Sequence, residues 1–190
     1  MRNYLFGLIL LACAGTLSAN QDSDFLAARQ AFQTGDAKGL DNYARRLQRH
    51  ALWPYVEYYQ FRMVLQSTDI ATIRNFLQRY EGSLIADRLR ADWLKMLGKN
   101  QQWQLFDAEY PLLGNQDTEL LCYYYQRRLS AQDKTALTDA RSLWSTPTSM
   151  PDSCTPVFQA LISSGQISQQ DIWTRIRAAL EEGQTGVATH

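Results

Sequence analysis

Two kinds of side chain in this sequence could do chemistry: a carboxylate set among aromatic residues, and a pair of cysteines. Glu57 stands in "WPYVEYYQF", and a carboxyl group surrounded by rings can have its pKa raised far enough to serve as a general acid in glycoside cleavage. That chemistry needs a second polar group at a fixed spacing, and none accompanies Glu57. The residue therefore reads better as a structural partner for an arginine or a tyrosine hydroxyl. Glu181 and Glu182 fall at a helix C-terminus, where the helix dipole disfavours them, and read as solvated. The chain has no serine elbow, glycine-rich phosphate loop or histidine-based nucleophile system. Its histidines are His50 and His190, and neither has companions at metal-ligand spacing. The expectation is a chain with no catalytic residue, no metal site and no cofactor.

The cysteines are Cys13, Cys122 and Cys154. Cys13 lies in "MRNYLFGLILLACAGTLSA", which has one positive charge at Arg2, an apolar run from Tyr4 to Ala14, and a small residue, Ala19, before the polar "NQDSD". This pattern is that of a secretory signal peptide over residues 1–19, with the mature chain starting near Asn20. The apolar run is too short for a stable membrane anchor, and no other segment is expected to cross a bilayer. A rival reading takes "LLAC" as a lipoprotein cleavage box that would leave Cys13 lipidated; the leucine before Ala12 and the short leader count against it. Removing the leader leaves Cys122 and Cys154. In an oxidising compartment such a pair is read as a disulfide, the alternative being two unrelated buried thiols.

The elements that must carry these groups are helical. "ELLCYYYQRRL" places Tyr123, Tyr124 and Tyr125 in a row, and successive helical residues are rotated by about 100°, so a helix bearing all three needs neighbours on more than one side. Periodicity gives a first helix from about Ser23 to Gln33 and a second carrying Leu40, Tyr43, Ala44 and Leu47. Pro54 stands in the first turn of a third, and "STD" caps a fourth holding Ile70, Ile73, Leu77 and Tyr80. A fifth runs from Leu84 to Leu97 with Gly98 as its C′ residue. A sixth spans Gln101 to Tyr110 and is stopped by Pro111. "QDTE" starts the tyrosine helix, and the next holds Ala136, Leu137, Ala140 and Trp144. "STPTSMPDSC" is a loop. A short helix follows from Thr155, and Ser168 with Asp171 forms a capping box for the last. That last helix carries Ile172, Trp173, Ile176, Ala179 and Leu180, a stripe wide for a terminal cap and suited to a following helix pair.

Odd-numbered helices start near residues 23, 53, 83, 118 and 155, a loose period typical of helical arrays. The fold expected is all-α, an irregular α-solenoid of about five helical hairpins, with the tyrosine helix as a middle rung. The 190 residues carry 19 Lys+Arg against 19 Asp+Glu, a balance that excludes the basic stripe of a nucleic-acid binder. The pairs Arg45/Arg46, Arg88/Arg90 and Arg127/Arg128 read as solvated faces or as groups stacked on aromatic rings between helices.

An exported helical array with "LWPYVEYYQF", "ELLCYYYQRRLSAQDKTALTDARSLW", "DSCTPVFQAL" and "RIRAALEEGQTGV" resembles the N-terminal region of the periplasmic soluble lytic murein transglycosylases, from about Ser23 to the end. The resemblance implies a U-shaped helical superhelix over residues 20–190, joined in the family to a linker and a lysozyme-like catalytic domain. It also implies a disulfide between Cys122 and Cys154. The family's "YPYxEY" motif falls on Trp53 through Tyr58, with Trp53 in place of tyrosine. The family's catalytic glutamate lies in a "QES" segment followed by "GLMQ", with "NAG" later, and none of these strings occurs here. No catalytic residue can be carried over, and the chain is expected to be truncated at its C-terminal end.

Two functions follow as expectations. One is a non-catalytic scaffold that positions glycan strands for a peptidoglycan lytic transglycosylase, whose action would leave a 1,6-anhydro product. Its partners would be peptidoglycan strands and, as a second class, other periplasmic cell-wall proteins. The other is an independent periplasmic helical-repeat module that binds proteins along a concave surface. Whether the coding frame downstream of residue 190 supplies "QES" and "GLMQ" separates them.

Overall fold

The computed structural model describes residues 14–146 and 149–184; most of the expected leader, Cys13 and His190 lie outside them. Among the described residues there are ten α-helices and three short 3₁₀ turns, and no strand. The chain is all-α, as the periodicity requires. It divides into two compact units, one ending at Leu89 and the other beginning at Arg90.

The first unit contains α1 (Ala14–Thr34), α2 (Ala37–Leu47), α3 (Trp53–Val64), α4 (Ile70–Arg79) and the start of α5 (Leu84–Lys99). Helix α1 begins earlier than Ser23, where the apolar pattern starts. Asp36 caps α2, its carboxylate accepting from the Gly39 N–H at 2.9 Å. The buried residues Leu40, Ala44 and Leu47 of α2 recur at helical spacing and meet Ala28 and Ala31 of α1 and Val56 and Tyr59 of α3. Phe32 stacks on Tyr59 with ring centres 4.6 Å apart. Pro54 lies in the first turn of α3. Asp69 caps α4, accepting from the Thr72 N–H at 2.9 Å, and Phe76 of that helix is fully buried against Phe61. Burying a side chain of this size contributes about 1.5–3 kcal/mol.

The second unit holds the rest of α5, then α6 (Trp103–Glu109), α7 (Thr118–Ser130), α8 (Ala136–Trp144), α9 (Thr155–Ser163) and α10 (Gln169–Glu181). The capping box forms: Ser168 N–H donates to the Asp171 carboxylate at 2.8 Å, and the Asp171 N–H to Ser168 Oγ at 3.2 Å. At the end of α5 the structure differs from the sequence reading. The helix continues through Gly98 to Lys99, and the residue with a left-handed backbone is Gln101, at φ +55°. Gly98 has a different purpose: a Cβ there would stand 2.5 Å from Tyr123 Cγ. It is glycine because α7 lays a ring against the α5 backbone.

The tyrosine run is explained by this crowding. Tyr123 faces Gly98 on α5. Tyr124 stacks on Tyr110, ring centres 4.9 Å apart and planes 3° from parallel. Tyr125 packs with Ala140 of α8 and Val157 and Leu161 of α9, and its hydroxyl donates to the Asp139 carbonyl at 3.3 Å. Helix α7 thus has neighbours on three sides within the second unit. No helix among the described residues is long and apolar enough to cross a membrane.

Candidate functional site

Glu57 lies on α3 with a side chain 13% exposed. Arg79, the last residue of α4, donates to Oε1 at 2.7 Å, and the Tyr80 hydroxyl donates to Oε2, also at 2.7 Å. Each oxygen accepts one hydrogen bond, and both donors come from the end of α4. Burial, and next the hydrogen bond to Glu57, push the Tyr80 hydroxyl up to about 12. The arrangement is a latch that closes α4 onto α3, the structural role the sequence favours. His50 is also structural: Nδ1 accepts from the Leu52 N–H at 3.2 Å, Nε2 lies 3.3 Å from Asp22, and the ring stacks on Phe25.

Cys122 of α7 and Cys154 are joined, with Sγ–Sγ 2.00 Å and Cα atoms 4.9 Å apart. Two hydrogen bonds reinforce the joint: Ser153 Oγ donates to the Glu119 carbonyl at 3.1 Å, and Gln126 Nε2 to the Ser153 carbonyl at 2.6 Å. Beside it is an open cleft of about 380 Å³ lined by Asp117, Thr118, Glu119, Leu143, Met150 and Pro151 among others. Lys95 of α5 reaches both acids, 2.5 Å from Asp117 and 2.9 Å from Glu119. Burial pushes the Asp117 carboxyl up, but hydrogen bonds from Lys95 and the Leu120 N–H outweigh it and hold the group below its ordinary value. Two carboxylates on one ammonium give this wall a small negative excess. Asp117 and Glu119 entered the sequence reading only as a helix start, and their common partner on α5 was not foreseen.

Of the arginine pairs, Arg46, Arg127 and Arg128 bridge helices, whereas Arg45 bonds Asn42 within α2. Arg46 forks onto Asp24 at 2.9 and 2.7 Å and lies over Tyr43. Arg127 grips Asp107, and Arg128 holds Asp133 and Asp139, each at 2.7 Å, while covering Tyr124 and Tyr125. Among the described residues no three His, Cys, Asp or Glu side chains gather as a metal site.

Over nearly its whole length the chain is similar to a region of the soluble lytic murein transglycosylases. It is 28% identical to the Escherichia coli soluble lytic murein transglycosylase across 96% of this chain, and 27% identical to that of Salmonella typhimurium across 94%. Among solved structures, the 70 kDa soluble lytic transglycosylase of Escherichia coli superposes with a TM-score of 0.65 at 27% identity, covering 90% of this chain. An inactive variant of the Pseudomonas aeruginosa enzyme Slt, at 23% identity and a TM-score of 0.65, shares the fold. No family model matches the chain. The chain spans 29% of the length of the Escherichia coli relative and 28% of the Escherichia coli structure.

Proposed function

We propose that this chain, after loss of residues 1–19, is a periplasmic, non-catalytic region of a peptidoglycan lytic transglycosylase that holds glycan strands. The observation that carries this reading is the extent of the similarity: it runs through 96% of this chain while covering only 29% of a murein transglycosylase. The engagement of Glu57 by Arg79 and Tyr80 supports the non-catalytic part. Glu57, the carboxyl whose aromatic setting suits a general acid, is committed to the contact between α3 and α4, whereas helical hairpins can still present a binding surface.

The test uses the full chain, purified from the periplasm of expressing cells and incubated with purified sacculi. Co-sedimentation without release of anhydro-muropeptides is the expected result. Release by the pure protein would overturn the non-catalytic assignment. Absence of co-sedimentation would overturn glycan holding and favour the protein-interaction module.

A further inference from the structure

The open cleft beside the disulfide, in the second unit, has a volume of about 380 Å³, a size that suits a small ligand. Asp117, Thr118 and Glu119, at the start of α7, form part of its lining. Leu143 near the end of α8 and the segment after that helix supply the rest, including Met150 and Pro151. That segment is anchored on α7 at its far end. Cys154 is bonded to Cys122, one turn along α7 from Thr118, and Ser153 donates to the Glu119 carbonyl while accepting from Gln126. A cleft whose sides are joined covalently exists before a ligand arrives, so binding does not have to bear the cost of ordering it.

The two acids are held in position with acceptor capacity to spare. Lys95 takes Asp117 Oδ2 and Glu119 Oε2, and Asp117 Oδ1 accepts from the Leu120 N–H. An ionised carboxylate offers about four lone-pair sites, and these side chains are still 52% and 36% exposed. Each can therefore accept further hydrogen bonds from a ligand's hydroxyl or amide groups. The hydroxyls of Thr118 and Ser149 add groups that both donate and accept. Leu143, Met150 and Pro151 offer apolar surface for C–H groups. A ligand carboxylate is disfavoured, because two negative groups face it across a single ammonium. A ligand cation is not required, because Lys95 already stands between the two acids.

We propose that this cleft binds a neutral N-acetylated sugar residue of a glycan strand, with sugar hydroxyls donating to Asp117 and Glu119 and the ring face or acetamido methyl lying on the apolar lining. The glycan as the source of the ligand rests on the function proposed above; the preference for a neutral, hydroxyl-bearing group rests on the lining of the cleft. The same two acids that accept from a neutral sugar repel one carrying a free carboxylate, so the cleft discriminates by charge.

The experiment titrates the full chain, isotopically labelled and purified from the periplasm, with chitotetraose and with its C6-oxidised, carboxylate-bearing form, read by amide chemical shifts. The neutral sugar should move the amides of Thr118, Glu119, Ser149 and Met150 and bind more tightly than the acid form. Glu119→Ala should weaken binding about tenfold, the scale of a hydrogen bond to a charged group. Ser149→Trp, placed on an exposed part of the lining, should fill the cleft and abolish binding. Circular dichroism checks that the variants fold; if either does not, the shift map of the unaltered protein still decides. No shift at the cleft amides at millimolar sugar, or undiminished binding in both variants, would overturn the site. Shifts elsewhere on a chain that still co-sediments with sacculi would overturn the cleft and leave glycan holding in place. Equal binding of the oxidised form would overturn the selection by charge. Cleft shifts with N-acetyl-lysine amide but not with chitotetraose would replace the sugar by an ammonium ligand and overturn the proposal. Cleft binding of chitotetraose by a chain that fails to co-sediment with sacculi would support the site and defeat only strand holding.

Discussion

Replacing Gly98 with alanine sets two known effects against each other. In a helix interior alanine is favoured over glycine by about 1 kcal/mol, and Gly98 lies inside α5, so propensity alone predicts a more stable protein. The packing predicts the reverse. The new methyl carbon would lie 2.5 Å from Tyr123 Cγ and 2.8 Å from Tyr123 Cβ, whereas carbon atoms in contact prefer about 3.5–4.0 Å. These are atoms at the root of the side chain, so rotation of the ring cannot relieve the clash. The backbone of α7 would have to retreat by roughly an ångström, and the disulfide at the neighbouring Cys122 resists that movement. Overpacking costs about 1–3 kcal/mol, and a conflict this close to the backbone belongs at the upper end. Subtracting the propensity gain leaves a net loss of about 2 kcal/mol, or a fall of roughly 4–8 °C in thermal midpoint for a chain of this size. Urea denaturation of Gly98→Ala, of Tyr123→Leu and of the double variant measures both terms. In the Tyr123→Leu background the alanine should cost clearly less, the signature of coupled neighbours. A stabilised Gly98→Ala protein, or equal costs in both backgrounds, would mean that the approach of α5 to α7 is not what selects glycine.

Three other outcomes are expected. Replacing Cys122 and Cys154 together by serine should cost about 3–4 kcal/mol, because the bond closes a loop with a sequence separation of 32; urea midpoints of the oxidised protein and the variant check it, and thiol titration of the unreduced, unfolded protein should find no free thiol in that pair. Glu57→Gln should change stability by no more than about 1 kcal/mol, since Arg79 is half exposed and the glutamine can still accept from Tyr80; a loss of several kcal/mol in chemical denaturation would contradict this. The Tyr80 hydroxyl is raised to about 12 in the fold, against about 10 for a free phenol. Its contribution is therefore complete below pH of about 10 and lost as the pH climbs through 12. Stability measured across that window should fall less steeply in Tyr80→Phe than in the parent protein.

What could be read from the sequence was set by the range of each interaction. Helix starts depend on residues three apart, so the "STD" start at Asp69, the "QDTE" start at Asp117 and the box at Ser168 were legible, and each side chain accepts the expected N–H. The tyrosine run was legible for a related reason: three large rings on one turn require three neighbours whatever those neighbours are. Glu57 could be assigned a structural partner of the right kind but not a particular one, because Arg79 and Tyr80 lie 22 and 23 residues away and meet it only through the turn into α4. The same holds for Lys95, whose two carboxylate partners lie on the N-terminal side of α7.

Gly98 was misread because a glycine that ends a helix and a glycine that admits a neighbouring ring look alike along the chain. Only Tyr123, distant in sequence, separates the two cases. The partner of Arg175, the Trp144 carbonyl at the end of α8, was hidden more deeply. An ion pair can be guessed from opposite charges one helical turn apart, and Asp171 stands one turn before Arg175, so the local pattern points to an internal pair. The capping box defeats it: Asp171 turns toward Ser168, and the guanidinium goes instead to the end of α8. A residue used by a strong local motif is not available to the pair that spacing suggests. Where capping and pairing compete for one carboxylate, the cation left over is the group whose partner has to be sought outside the helix.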